Sequence, residues 1–426
     1  MSLFSRRARA ARLPLICVLA VLSARAVAVD APRGTLTLAR AIGAALENNP
    51  DLRASSYELQ AAQARRAQAA LRINPEVGIE LENFAGSAAA AGTRALETTL
   101  TLGQVIELGG KRALRMGAGE LDVEAHELEQ RARELDLLAD VSRRYLDVVV
   151  AQEHVQAAAG AAALTDATSA DIERRVRAGR TPQAEASRAR VAVARAAIEL
   201  RQAEGNLAAA RQSLAASWGA SDVSFDAADA RLFELAPVEP LEQLLVQLEQ
   251  SNELAQFATL ERQRDAELRL ARAQARPNLS FSVGVRRFEE TGDRALVAGF
   301  SMPIAAFDRN QGGIREARVR REQTAAARDA ARVRAQATLR ALYTELAAAR
   351  SRTETLSLEA IPQAEQAVEQ TRAGYARGRF SFLELASSQE ELSGLRAARI
   401  DAAADYHRML AEIERLTGVA IVRPAP

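Results

Sequence analysis

The second half of this chain repeats the first at an offset of about 200 residues. Asp51-Leu52 matches Glu253-Leu254, Asn74-Pro75 matches Arg276-Pro277, Tyr145 matches Tyr343, and Gly179-Arg180 matches Gly378-Arg379. The matches keep one order at nearly constant spacing, which alanine-rich helices aligned by chance would rarely give. One structural unit used twice is expected. The division is a signal peptide over 1–28, a first repeat over 29–220 and a second over 221–426.

Each unit reads as a helix, two strands and then long helices. Leu38 to Leu71 has helical composition and stops at Asn74-Pro75. Val77, Ile79 and Leu81 then alternate with Glu76, Gly78, Glu80 and Glu82, which predicts a strand with one apolar and one charged face. Past a small-residue loop, Leu96, Thr98, Leu100 and Leu102 share one side of a second strand, giving a hairpin over 75–107. The second unit repeats this over 277–304, with Leu279, Phe281, Val283 and Val285, a polar turn at Glu289 to Asp293, and Leu296, Ala298, Phe300 and Met302.

The helices that follow are too long for an ordinary domain. Arg112 to Ala159 alone predicts on the order of 70 Å of helix. Leu114, Leu121, Leu128 and Leu135 recur every seventh residue with Ala118, Ala125, Ala132 and Ala139 between them, a coiled-coil seam in which alanine lets backbones approach. The second copy runs from Ile314 to about Ala373. Both helices turn back at short connections, closing helical hairpins over 110–217 and 312–417. In Ala178-Gly179-Arg180-Thr181-Pro182 the expected C-terminal glycine is Gly179, the N-cap Thr181 and the first helical residue Pro182. Arg377-Gly378-Arg379-Phe380-Ser381 does the same, with Ser381 and Glu384 spaced as a capping box.

The first residues read as a secretory signal, which would carry this architecture out of the cytoplasm. Arg6, Arg7, Arg9 and Arg12 precede the short apolar run Leu13 to Leu22, and small residues offer cleavage at Ala24-Arg25-Ala26 or Ala26-Val27-Ala28. That run is too short for a membrane-spanning helix, which takes about 20 residues. Pro14-Leu15-Ile16 lacks the small residue that a lipoprotein signal would place before Cys17. Cys17 is the only cysteine, so a processed chain has neither disulfides nor thiolate metal ligands. Aromatics are only 4% of residues, too few to fill a thick globular core. The 56 basic and 55 acidic residues interleave along the chain, so nucleic acid is not an expected partner.

Four strands with one apolar face cannot close a barrel, for which about eight are the minimum. An open sheet edge is not viable in lipid, so if these strands enter a membrane, several copies must complete one barrel. Long helices hanging from it would continue it as a tube.

Three stretches carry a family resemblance: Leu36-Thr37-Leu38 to Asn49-Pro50-Asp51-Leu52-Arg53, Gln104-Val105-Ile106-Glu107-Leu108-Gly109-Gly110-Lys111-Arg112, and Tyr375-Ala376-Arg377-Gly378 to Leu383-Glu384-Leu385. Together, and in this order, they resemble the TolC-like outer-membrane efflux family. Ile106 to Arg112 and Phe307-Asp308-Arg309-Asn310-Gln311-Gly312 are similar to its heavy-metal, CzcC/CusC-like branch. The resemblance implies a mainly α fold with membrane β: a homotrimer with a twelve-stranded barrel in outer-membrane lipid and a coiled-coil tunnel across the periplasm. It implies as partners a periplasmic adaptor (membrane fusion protein) and a proton-driven inner-membrane pump of the resistance-nodulation-division type. A drug or solvent channel is the alternative within the family, and a periplasmic coiled-coil scaffold or adaptor the alternative outside it.

The resemblance also points to candidate residues. Gly179, Arg180, Thr181, Gly378, Arg379, Phe380 and Ser381 would form the adaptor-facing tips, although turn and cap chemistry alone explains their types. Glu185 and Glu384 hold matching places in the returning helices and are candidates for an acidic entrance ring, beside their ordinary use as carboxylates at a helix N-terminus. Where the family often carries a further acid, this chain has Ser387. Tyr145 and Tyr343 read as core packing. His126, His154 and His407, the only histidines, stand at no ligand spacing, so no metal site, cofactor or catalytic residue is expected.

Overall fold

The computed structural model describes residues 33–88, 91–229 and 231–418. The expected signal peptide over 1–28, with Cys17, lies outside the described residues. The expected first helix is two helices, α1 (Leu38–Asn48) and α2 (Pro50–Ala69). The reason is Asn49: its side-chain oxygen accepts the N–H groups of Asp51 (2.9 Å) and Leu52 (3.0 Å), while its amide donates to the Ser217 carbonyl (2.9 Å). It caps α2 and pins the break to the far end of the first helical hairpin.

That hairpin consists of α3 (Lys111–Arg177) and α4 (Gln183–Ala216). At 67 residues α3 is about 100 Å long. Its strand-proximal half packs between α2 and α6 (Asn252–Gln274), and the leucines of the predicted seam are half-buried there. The second hairpin is less regular. α7 (Gln311–Thr355) passes through a π turn at Leu356–Ala360 into α8 (Ile361–Ala376), and α9 (Phe382–Thr417) returns. Pro362, in the first turn of α8, has no N–H to offer the carbonyl four residues back, and the widened turn accommodates that.

Two cores sit midway along the helices. The first gathers Leu36, Val141, Tyr145, Val148, Leu214 and Trp218. The second gathers Leu244, Leu339, Tyr406, Leu410 and Ile413, with α5 (Leu241–Glu249) as its lid and Tyr343 half-buried beside it. Sequence reading expected four strands, yet a parallel pair, β1 (Gly34–Leu36) and β4 (Phe225–Ala228), caps the first core. Tyr145 fastens this pair to α3 through its single hydroxyl proton, shared between the carbonyls of Leu36 (2.9 Å) and Asp229 (2.6 Å). Burial pushes its hydroxyl up to about 12, so it remains a donor.

The expected strands are β2 (Glu76–Glu82), β3 (Glu97–Ile106), β5 (Leu279–Phe288) and β6 (Arg294–Ser301). They form one antiparallel sheet in the order β2-β3-β5-β6, so the two chain halves meet where β3 pairs with β5. Register places Ile79, Leu100, Val285 and Leu296 in one row and Val77, Leu102, Val283 and Ala298 in the next. Side chains opposite each other share a face, so one face is a continuous apolar surface, and all of its large residues in these rows are exposed. The ten-residue central strands β3 and β5 are about 33 Å long, the seven- and eight-residue outer strands β2 and β6 about 23 and about 26 Å.

The other face is small and polar. Arg286 on β5 bridges it, pairing with Glu82 on β2 (2.6 Å) and Glu97 on β3 (2.9 Å) and donating to Thr99 (2.9 Å). No side chain fits at Gly284, where an added Cβ would lie 2.3 Å from the Leu100 carbonyl oxygen. Among the described residues, no helix is long and apolar enough to cross a membrane.

A linker leads from each strand pair back into the helices, from β3 to α3 and from β6 to α7. In the first, Gly109 and Gly110 take left-handed conformations (φ 79° and 71°), and a Cβ on Gly109 would strike the Arg276 side chain. The buried Lys111, the only lysine, donates to Asn278 (2.6 Å), and Arg112 donates to the Ala70 carbonyl (2.7 Å). The second linker, residues 302–310, ends at Asn310, whose amide donates to the Ala271 carbonyl (2.8 Å).

Candidate functional site

The ends of the two helical hairpins come together at the pole opposite the sheet. α3 ends in a left-handed glycine, Gly179 (φ 70°), whose N–H donates to Val176 O (2.9 Å) while that of Arg180 donates to Arg175 O (2.9 Å). α8 ends identically: Gly378 (φ 73°) donates to Tyr375 O (3.0 Å) and Arg379 to Gly374 O (2.9 Å). Both are Schellman turns, which satisfy the last carbonyls of a helix.

The two returning helices start differently. Ser381 and Glu384 form the expected capping box, the Glu384 carboxylate accepting from the Ser381 N–H (2.7 Å) and hydroxyl (2.8 Å). Those two donors hold its carboxyl below the usual range. In the first hairpin Thr181 is not the N-cap. Pro182 takes that position with extended ψ (147°), and α4 begins at Gln183. Glu185 and Glu384 nonetheless occupy the same place, three residues after their caps. Both carboxylates are already engaged, because Glu185 accepts the Tyr375 hydroxyl at 3.1 Å.

That bond belongs to a junction between hairpins that the sequence did not announce. The Arg175 guanidinium lies 5.1 Å from the centre of the Tyr375 ring, donates to the Ala376 carbonyl (3.2 Å) and is anchored by Asp171 (2.8 Å). Burial alone would raise the Asp171 carboxyl, but Arg175 and Arg174 outweigh it and hold it low. Burial, together with the neighbouring Glu185 charge, raises the Tyr375 hydroxyl. Beneath lies a small core of Ile172, Ala186, Ala189, Phe382 and Leu385. The Phe380 ring covers Gly374, where a Cβ would lie 2.1 Å from it. Arg177, Arg180, Arg377 and Arg379 are exposed around the rim, with Phe380 and Leu383 between them. The end surface is thus basic with apolar points.

Tyr375 stood within a quoted motif, but its partner lies 190 residues away. Pairing could not be read from spacing. Histidines take no part in the tips. His407 bonds the Leu232 carbonyl (2.8 Å), His154 meets Asp401 (3.1 Å) and His126 meets Arg65 (3.1 Å). Among the described residues no group of three His, Cys, Asp or Glu could hold a metal ion.

The profile of the family described as "Outer membrane efflux protein" matches residues 41–220 and again 245–419. The chain belongs to this family. Among its relatives, the cobalt-zinc-cadmium resistance protein CzcC of Cupriavidus metallidurans is 30% identical over 90% of both chains. The nickel-cobalt-cadmium resistance protein NccC of Alcaligenes xylosoxydans xylosoxydans is 26% identical over 75% of this chain and 72% of its own. The fold is that of solved family structures. CusC superposes with a TM-score of 0.73 at 20% identity, over 89% of this chain and 91% of its own. The outer membrane protein VceC of Vibrio cholerae does so with 0.71 at 20% identity, over 90% and 96%.

Proposed function

We propose that this chain is the outer-membrane duct of a tripartite resistance-nodulation-division efflux system and that its cargo is heavy-metal cations. The observation that carries the duct is the sheet: four strands, apolar on one face, with the outer edges of β2 and β6 unpaired among the described residues. Such a sheet cannot stand alone in lipid, and three copies supply the twelve strands of a closed barrel. On this reading the signal occupies 1–28, and 29–220 and 221–426 are two copies of one unit, each contributing a hairpin to the barrel and a helical hairpin to the tunnel wall.

The cargo reading rests on the relatives, whose names specify cobalt, zinc, nickel and cadmium resistance. The chain would act passively, with selection made by an inner-membrane pump. The basic tips carrying Gly179, Arg180, Thr181, Gly378, Arg379, Phe380 and Ser381 would meet the periplasmic adaptor. Glu185 and Glu384 would line the entrance, Glu185 by holding Tyr375.

Native mass of protein extracted in detergent from purified outer membranes tests the assembly. Three copies per particle support the shared barrel, whereas a soluble periplasmic monomer defeats it and leaves a coiled-coil scaffold. Deleting the gene tests the cargo: sensitivity to cobalt, zinc or cadmium is expected, and sensitivity to drugs or solvents alone would overturn the metal assignment.

A further inference from the structure

We propose that the linker between β6 and α7, residues 302–310, is a membrane-surface anchor whose Ile304 and Phe307 side chains sit in phospholipid at the periplasmic boundary of the apolar band. The proposal rests on reading the sheet's apolar face as lipid-facing. Phe307 is 93% exposed and Ile304 88%, in the same range as Leu296 (89%) and Phe300 (82%) on the apolar face of β6. Those two residues line the strand that leads directly into the linker, whose first residue, Met302, is also exposed, so the apolar surface runs off the end of the sheet without a break.

The linker is built to hold this shape. Gln311 donates to the Phe307 carbonyl (3.2 Å), Arg309 donates through Nε to the Ala305 carbonyl (3.1 Å) and through its backbone to Gln311 (2.9 Å), and Asn310 donates to Asp308 (2.8 Å). Local bonds thus hold several of its polar groups while both apolar side chains stand exposed. Chemistry then changes abruptly: Asp308, Arg309, Asn310 and Gln311 follow Phe307 directly. An apolar and aromatic pair bordered by charge is what the interfacial girdle of a membrane barrel requires. The other linker contrasts with it, since Lys111 is buried there and Gly109 is packed against Arg276. A second copy is the weaker occupant, because it would join β6 edge to edge through backbone bonds, leaving out-of-plane side chains uncovered.

The test uses Trp fluorescence of the full protein in phosphatidylcholine vesicles brominated either near the headgroup or near the chain ends. Trp218, the only native tryptophan, is fully buried in the first helical core and supplies the unquenched baseline. F307W changes an exposed side chain, and F300W reports on the apolar face of the sheet. Expected is loss of most of the added F307W emission with shallow bromines and little loss with deep ones, with F300W, near the linker end of β6, quenched by at least one of the two sets. If F300W is quenched and F307W is not, the linker is covered by protein or faces water, and the anchor is wrong while the lipid-facing sheet stands. If F307W is quenched only by deep bromines, the boundary placement is wrong. If neither is quenched, the reading of the sheet fails and the anchor with it.

Discussion

Single positions in this chain are legible where backbone geometry demands a residue type and illegible where a distant partner does. Gly179, Gly378 and the Ser381–Glu384 capping box follow from local spacing and stand as expected. Tyr375, Arg175 and Asp171 do not, because the contact between hairpins forms only after folding. Gly374 is a further such case, and Gly374→Ala should drive Phe380 off α8, at about 1 kcal/mol of lost burial. Trypsin should then cut faster at Arg377 and Arg379, and an unchanged digestion pattern would mean that the ring re-seats freely. His407 gives a second prediction. Its Nε2 faces a carbonyl, which only accepts, so that nitrogen carries the proton. Burial lowers the pKa of the ring although the bond to Leu232 opposes this, so the folded state keeps it neutral. The unfolded chain takes up a proton below about pH 6.5, so the stability contributed is complete above that pH and lost as pH falls. Melting temperatures of the parent should decline between about pH 7 and pH 5 more steeply than those of His407→Gln.

At the scale of elements, period-two alternation identified all four strands of the apolar-faced sheet, and heptads identified α3. The parallel pair β1–β4 escaped because strands of three and four residues carry too little alternation to register. Thr181 was misplaced by one residue because threonine before proline has the composition of a cap, while the backbone begins its helical turn only after Pro182. The ladder between β3 and β5 offers a sharp test at Gly284. An added methyl there meets backbone, not a side chain able to turn away, so Gly284→Ala should separate the strands at about 3 kcal/mol or more. The expected readout is loss of the detergent-resistant oligomer, and a normal oligomer would show that the ladder bends more than its spacing allows. At the opposite pole Tyr375→Phe removes the hydroxyl bond to Glu185, worth about 1 kcal/mol. If that bond restrains the tips, single-channel conductance in planar bilayers should rise; identical conductance would remove Tyr375 from any gate.

For the whole molecule, the ordering of elements in the two halves was visible in the duplication, but their divergence was not. α3 runs unbroken to its tip, whereas the α7–α8 helix is interrupted by the π turn at Leu356–Ala360. Repeats show what two halves share, and a widened turn depends on one proline and its neighbours. The join between β3 and β5 has a consequence in time. Its closest rung in sequence, Ile106 with Leu279, links residues roughly 170 apart. On the proposed export route, a chain crossing N-terminus first would deliver β2 and β3 well before β5, with Val77, Ile79, Leu81, Leu100 and Leu102 bare to water. During that interval the hairpin would be an aggregation hazard and a client for whatever escorts unfinished outer-membrane proteins across the periplasm.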